Sequence, residues 1–167
     1  MSGGATPKLR RQARLSAVQA LYQLDVTDTK SKQVIFEFLN HRFGFEDEEG
    51  MVAADEKFFE ELVEGVLQEQ DVIDAKLDGQ LPKKWPLRRL DMTLRATLRA
   101  GVFEITQRPD VPALVIIDEY VAIASDFFDG KEPGIVNAVL DKIARSVRAH
   151  EFGLPGPAGT PSDQAAC

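Results

Sequence analysis

Two histidines, His41 and His150, and a single cysteine, Cys167, are the side chains that metal or nucleophilic chemistry would call on first in this 167-residue chain. Zinc needs three or four His, Cys or carboxylate ligands at short spacings. Neither histidine has a cysteine or carboxylate so placed. Cys167 is the last residue, without a base positioned to generate a thiolate. A lone cysteine also rules out an intramolecular disulfide framework. Asp118 and Glu119 are adjacent carboxylates, but neighbours on a helix point about 100° apart, which is poor geometry for an acid/base dyad. There is no GxxxxGK[ST] loop and no GxGxxG after a strand. Gly153, Gly156 and Gly159 stand in a Pro/Gly-rich stretch that no helix follows. The inventory predicts a binding protein with no catalytic residue, metal or cofactor.

The charged residues are more informative. The formal net charge is -7, but residues 1–14 hold four bases (Lys8, Arg10, Arg11, Arg14) and no acid. Residues 46–78 hold thirteen acids against Lys57 and Lys76, and residues 83–108 hold seven bases against Asp91 and Glu104. Two basic islands flank an acidic block, so an acidic protein could still present a positive surface to an anion. An arginine cluster running into a helix suits phosphate contacts that do not read sequence. With Tyr22 and Phe127-Phe128 as aromatic platforms, single-stranded RNA is the expected ligand. On helical spacing Phe127 also continues a core face, so the two roles compete there. The acidic block suggests a repulsive face that keeps RNA to one side.

The elements that must position these residues read as helical almost throughout. Leu9, Ala13, Ala17 and Leu21 recur at four-residue steps and predict a helix over 8–25, with Pro7 at its start. Ser31 is a candidate N-cap for a second helix carrying Val34, Ile35, Phe38 and Leu39, and Glu46 to Gly50 reads as a loop. Asp55 caps a third helix with Phe58, Phe59, Leu62, Val63, Val66 and Leu67. A fourth follows at 71–80 with Val72, Ile73 and Leu77, and stops at Leu81-Pro82. Asp91 caps a fifth at 91–107 with Leu94, Leu98, Val102 and Ile105 on one face, and the stiff connector Arg108-Pro109-Asp110-Val111-Pro112 leads to two more, at 112–128 and 133–148. The faces of those two include Val115, Tyr120 and Phe127, then Val136, Leu140 and Val147. Ala113 to Ile117 is β-branched, but a lone strand would leave its backbone unsatisfied, so helix is expected. Asn137 in mid-helix implies a partner for its amide, and a tie to a neighbouring backbone is expected.

Composition agrees with a folded domain, at 44% hydrophobic and 28% charged residues. No apolar run approaches the roughly 20 residues of a membrane span. No apolar block follows the N-terminal bases, so a soluble, cytoplasmic protein is expected. Residues 1–7 are expected to begin a flexible basic arm, 8–150 to form one domain, and 151–167, with three prolines and three glycines, to be a disordered tail.

Several segments together resemble the NusB family of bacterial antitermination factors. These are Ala17-Val18-Gln19-Ala20-Leu21-Tyr22 after the arginines, Arg88-Arg89-Leu90 with Leu98-Arg99, Pro109-Asp110-Val111-Pro112, and Ile135 to Ala144 (IVNAVLDKIA). The resemblance is collinear from about Lys8 to Arg148. It implies an all-α fold of about seven helices, in two packed three-helix subdomains forming one compact domain, without catalytic activity. It implies a heterodimer with the ribosomal protein NusE that binds boxA RNA of nascent ribosomal RNA and helps assemble an antitermination complex, with NusA and NusG, on RNA polymerase. Carried over by position, Lys8, Arg10, Arg11 and Arg14 correspond to an RNA-binding arm. Phe127, Lys131 and Ile135 correspond to RNA contacts at the junction of the last two helices. Tyr22 and Leu94 correspond to the NusE-facing surface, although Leu94 stands where relatives often have an acid and Ile135 where a phenylalanine is usual. Relatives occur as monomers or homodimers. Similar helical domains are fused to ribosomal RNA cytosine methyltransferases, but the few residues after 148 leave no room for a catalytic domain. A protein-only scaffold is the remaining alternative.

Overall fold

The computed structural model describes residues 7–27, 30–41, 46–47, 50–51 and 55–155. The start of the expected basic arm, residues 1–6, and most of the expected tail, residues 156–167 with Cys167, lie outside the described residues. So does the side chain of His41.

Among the described residues seven α-helices follow one another: α1 (Pro7–Val26), α2 (Ser31–His41), α3 (Glu56–Gln68), α4 (Gln70–Gln80), α5 (Met92–Gln107), α6 (Ala113–Phe127) and α7 (Glu132–Val147). Helices α1, α2 and α3 pack on one another, as do α5, α6 and α7, while α4 touches α3, α5 and α7. Helix α5 joins the halves, because it also packs on α1 and α3. The α5 stretch from Ala96 to Ile105 is buried throughout, as expected of a helix with neighbours on every side. One continuous core results, with Phe59, Leu62, Leu98, Tyr120 and Leu140 fully enclosed.

Local signals account for most boundaries. Asp55 accepts from the Phe58 N–H, and Asp91 from the Thr93 and Leu94 N–H groups, as N-caps should. Pro7 and Pro133 sit in the first turns of α1 and α7. The second helix differs from the expected start. The Lys30 carbonyl accepts from Gln33 and Val34, so Ser31 is already in the first turn and does not cap it. Within the expected loop, Glu46–Asp47 and Gly50–Met51 pair as a two-rung antiparallel ladder, β1 and β2. Val72, Val115 and Val147, assigned above to apolar faces, are exposed. In α4 the i, i+4 pair Ile73 and Leu77 alone fills the buried stripe.

The body also runs past residue 150. Ala149–Phe152 forms a 3-10 turn ended by Gly153 in the left-handed region (φ 67°), and Phe152 packs against the core. Arg148, buried at the end of α7, explains this. Its guanidinium donates to the carbonyls of Glu104, Ile105, Arg108 and Val111 and to the Glu151 carboxylate. The boundary expected at 150 is therefore too early.

Candidate RNA and partner interface

The arginines of α1 turn inward more than their sequence suggests. Arg14 is buried and gives two bonds to Glu104, Nε to Oε2 at 2.7 Å and Nη2 to Oε1 at 2.9 Å. The Tyr120 hydroxyl donates to the same carboxylate, and Glu119 adds a contact to Arg14 at 3.5 Å. Burial pulls the Arg14 pKa down, but Glu104, Tyr120 and Glu119 outweigh it and hold the guanidinium above the ordinary arginine value. Burial and the Glu104 charge push the Tyr120 hydroxyl well above the ordinary tyrosine value. Arg14 is thus a structural cation and not a free RNA contact, which corrects the role expected from its place in the cluster.

Arg11 is exposed but held in a two-bonded pair with Glu119, at 3.2 and 3.1 Å. Arg10 is half-buried. Its guanidinium lies 5.0 Å from the Phe58 ring centroid, and its Nε is 3.9 Å from Asp55 and has no hydrogen-bond partner. Arg14 and Arg108 approach the same ring at 5.2 and 5.0 Å. Among the described residues of the arm, Lys8 alone is exposed without a carboxylate partner.

Three arginines of the second basic island are neutralised in the same way. Arg95 pairs with Asp25, Arg99 with Asp74 and Asp25, and Arg108 with Glu61 and Asp110. Arg108 holds the Asp110 carboxyl down at about 2. The acidic block and the basic islands therefore meet through Arg10–Asp55, Arg99–Asp74 and Arg108–Glu61. Part of the acidity read as a repulsive face serves to bind the helices together.

Tyr22 and Phe127, assigned above to different partners, share one groove. Each is 43% exposed, and together with Val18, Val26, Phe38 and Thr93 they line an apolar cleft of ≈ 360 Å³ between α1, α2 and the ends of α5 and α6. Phe128, not Phe127, is the ring of that pair that packs on the core. Leu94 is 2% exposed and belongs to the core, so it is not a partner contact. Its neighbour Thr93 reaches the cleft instead. Ile135 is half-buried against the core. Lys131, at the start of α7, places Nζ 4.5 Å from the Trp85 ring centroid. Asn137 is exposed and its side-chain amide makes no hydrogen bond with any described residue, so the expected backbone tie is absent. Missed from the sequence were Trp85, Thr93 and the Phe58 ring beneath three arginines. The signal for Trp85 was present in the run Lys83-Lys84-Trp85, an aromatic among bases.

Among the described residues no group of His, Cys, Asp or Glu could hold a metal ion, and no helix is long and apolar enough to cross a membrane.

The family model described as NusB matches residues 11–145. The transcription antitermination protein NusB of Maricaulis maris is 52% identical over 146 residues, covering 87% of this chain and 91% of that protein. That of Rhizobium johnstonii is 51% identical over 144 residues, covering 86% and 90%. Among solved structures, T. maritima NusB superposes with a TM-score of 0.73 at 28% identity, covering 89% of this chain and 99% of that one. A NusB solved with NusE and double-stranded RNA shares the fold, with a TM-score of 0.67 at 21% identity over 84% of this chain and 98% of that one. A match across nearly the whole helical body, at about half identity to several relatives, makes this chain a member of the NusB family.

Proposed function

We propose that the protein is a non-catalytic RNA-binding adaptor of transcription antitermination, acting in the cytoplasm, which pairs with NusE and binds boxA RNA of nascent ribosomal transcripts before joining the polymerase-bound complex with NusA and NusG. The antitermination role of relatives about half identical supports the reading. The observation that carries it in the structure is the Tyr22–Phe127 cleft. Two large aromatics stand half-exposed around an apolar floor, at positions that the family resemblance assigns to partner and RNA. An exposed aromatic cleft of this kind is where a protein partner gains most affinity. NusE is accordingly assigned to the cleft, and RNA to Phe127, Lys131 and Ile135 at the junction of α6 and α7 and, separately, to Lys8 at the exposed start of α1.

The test is a titration of labelled boxA RNA with the full chain, alone and with NusE, at low and raised salt. Weak binding alone, tighter binding with NusE, and affinity that falls linearly in log salt are expected, because cations displace counterions from phosphates. RNA binding that ignores salt, or no binding in either arm, overturns the reading. NusE binding without RNA would leave a protein-only scaffold.

A further inference from the structure

Four cations that the fold leaves without a carboxylate fall close together in one connector. Within residues 83–108, Arg95, Arg99 and Arg108 are taken up by ion pairs. Lys83, Lys84, Arg88 and Arg89 are exposed, with no carboxylate partner among the described residues. All four lie in the connector between α4 and α5, on either side of Trp85. That ring packs against the core on one side and carries Lys131 Nζ at 4.5 Å from its centroid. Beside it opens a crevice of ≈ 260 Å³ lined by Lys84, Trp85 and Arg89 together with the carboxylates Asp91 and Glu132.

The crevice suits a nucleotide better than a bare anion. Two carboxylates would weaken a free phosphate, although Asp91 is committed to capping α5. The aromatic wall offers what a phosphate cannot use. Trp85 is anchored by the core, so presenting its ring to a planar ligand orders nothing new. Lys131 holds the ring through an exposed cation–π contact, which base stacking on an aromatic exceeds. Helix α7 begins there without a side-chain cap; Pro133 has no N–H and Ile135 donates to the Lys131 carbonyl, which leaves the N–H groups of Glu132 and Gly134 for a phosphate oxygen.

We propose that Trp85 is a stacking platform for one base of single-stranded RNA. The base displaces Lys131 Nζ from the ring, and Lys84 and Arg89 take the flanking phosphates. This rests on the RNA-binding reading above and adds a contact to it, in residues that the family resemblance does not assign.

Trp85 is the one tryptophan in the chain. Fluorotryptophan incorporation therefore gives a single fluorine NMR line from position 85, even when unlabelled NusE is present. The full chain is titrated with NusE and end-labelled boxA RNA, reading anisotropy for binding and the fluorine line for the site. The line is expected to shift in step with the anisotropy. W85L should weaken RNA about tenfold, the scale of one lost base stack, while W85F stays within about threefold because a ring remains. Affinity for NusE should not change in either variant. If RNA binds but the line stays still, or if a folded W85L binds RNA as the parent does, the Trp85 platform is refuted and the RNA reading stands. If the anisotropy shows no RNA binding, that reading itself fails and the platform with it. Should W85L not fold, the fluorine line on the parent chain decides.

Discussion

Arg14 and Glu104 meet inside the protein as a parallel two-bonded pair, with side chains 4% and 0% exposed, and lock α1 to α5. Removing one partner leaves an uncompensated buried charge, which costs about 3–5 kcal/mol. Arg14→Ala is therefore expected to lower the urea-unfolding free energy by that amount. Arg14→Lys should recover less than half of it, since an ammonium cannot reproduce the fork. Urea unfolding followed by circular dichroism measures both. A stable Arg14→Ala protein with weakened RNA binding would return Arg14 to the RNA site.

The cleft makes a separate prediction. Tyr22→Ala and Phe127→Ala each remove a half-exposed ring from one apolar surface, so each should weaken NusE about tenfold, near 1.4 kcal/mol, the scale of an interface aromatic. Stability should change little, because neither ring is enclosed. Calorimetric titration with NusE checks this. A Phe127→Ala effect confined to RNA would separate the two surfaces that the cleft joins.

How far the sequence reached depends on the range of the signal. Helix existence and most caps, such as Asp55 and Asp91, are local and were legible from spacing and side-chain chemistry. Charge was legible only as a count along the chain. That Arg99 would meet Asp74, or Arg108 meet Glu61, depends on which helix faces pack, and no local pattern states it. Leu94 was legible from its spacing as part of the apolar face of α5, and the structure keeps that reading over the partner contact carried from the family. Asn137 shows the converse: a costly residue in mid-helix suggested a structural tie, yet its amide faces solvent.

Gly65 of α3 leaves the space that the Phe103 ring of α5 occupies. A Cβ there would fall 2.2 Å from Phe103 Cε1, a ring that is 8% exposed and has little room to move. Gly65→Ala should therefore destabilise by about 1–3 kcal/mol through overpacking, even though alanine is about 1 kcal/mol the better helix former. Combining it with Phe103→Leu should recover part of the loss. Thermal melts of the single and double variants test the coupling.

Arg148 serves four carbonyls from the α5–α6 connection and the end of α5, groups that lie too far along the chain to be linked by sequence pattern. Arg148→Ala leaves these acceptors without their donor, at about 1–3 kcal/mol for a buried group left unsatisfied. A loss near 3 kcal/mol is expected in urea unfolding. Glu151→Gln should cost less, because the carbonyl contacts survive.

Acid should act partly through Asp110. Its hydrogen bonds from Arg108 lower the carboxyl from 3.8 to about 2. A carboxyl whose pKa is lower in the folded state adds stability that is complete above the unfolded value and disappears as pH falls through the folded one. Its contribution is therefore lost between about pH 4 and pH 2. Glu151 moves in the same direction: burial opposes ionisation, but the Ala113 N–H and Arg148 outweigh it. The Asp110 side chain is 55% exposed, so solvent screening keeps its share below about 1 kcal/mol. Asp110→Asn should then be slightly less stable than the parent near neutral pH and indistinguishable from it near pH 2. Urea unfolding of the two proteins across that interval measures the difference, and a gap that widened toward acid would refute the Arg108 pairing as its cause.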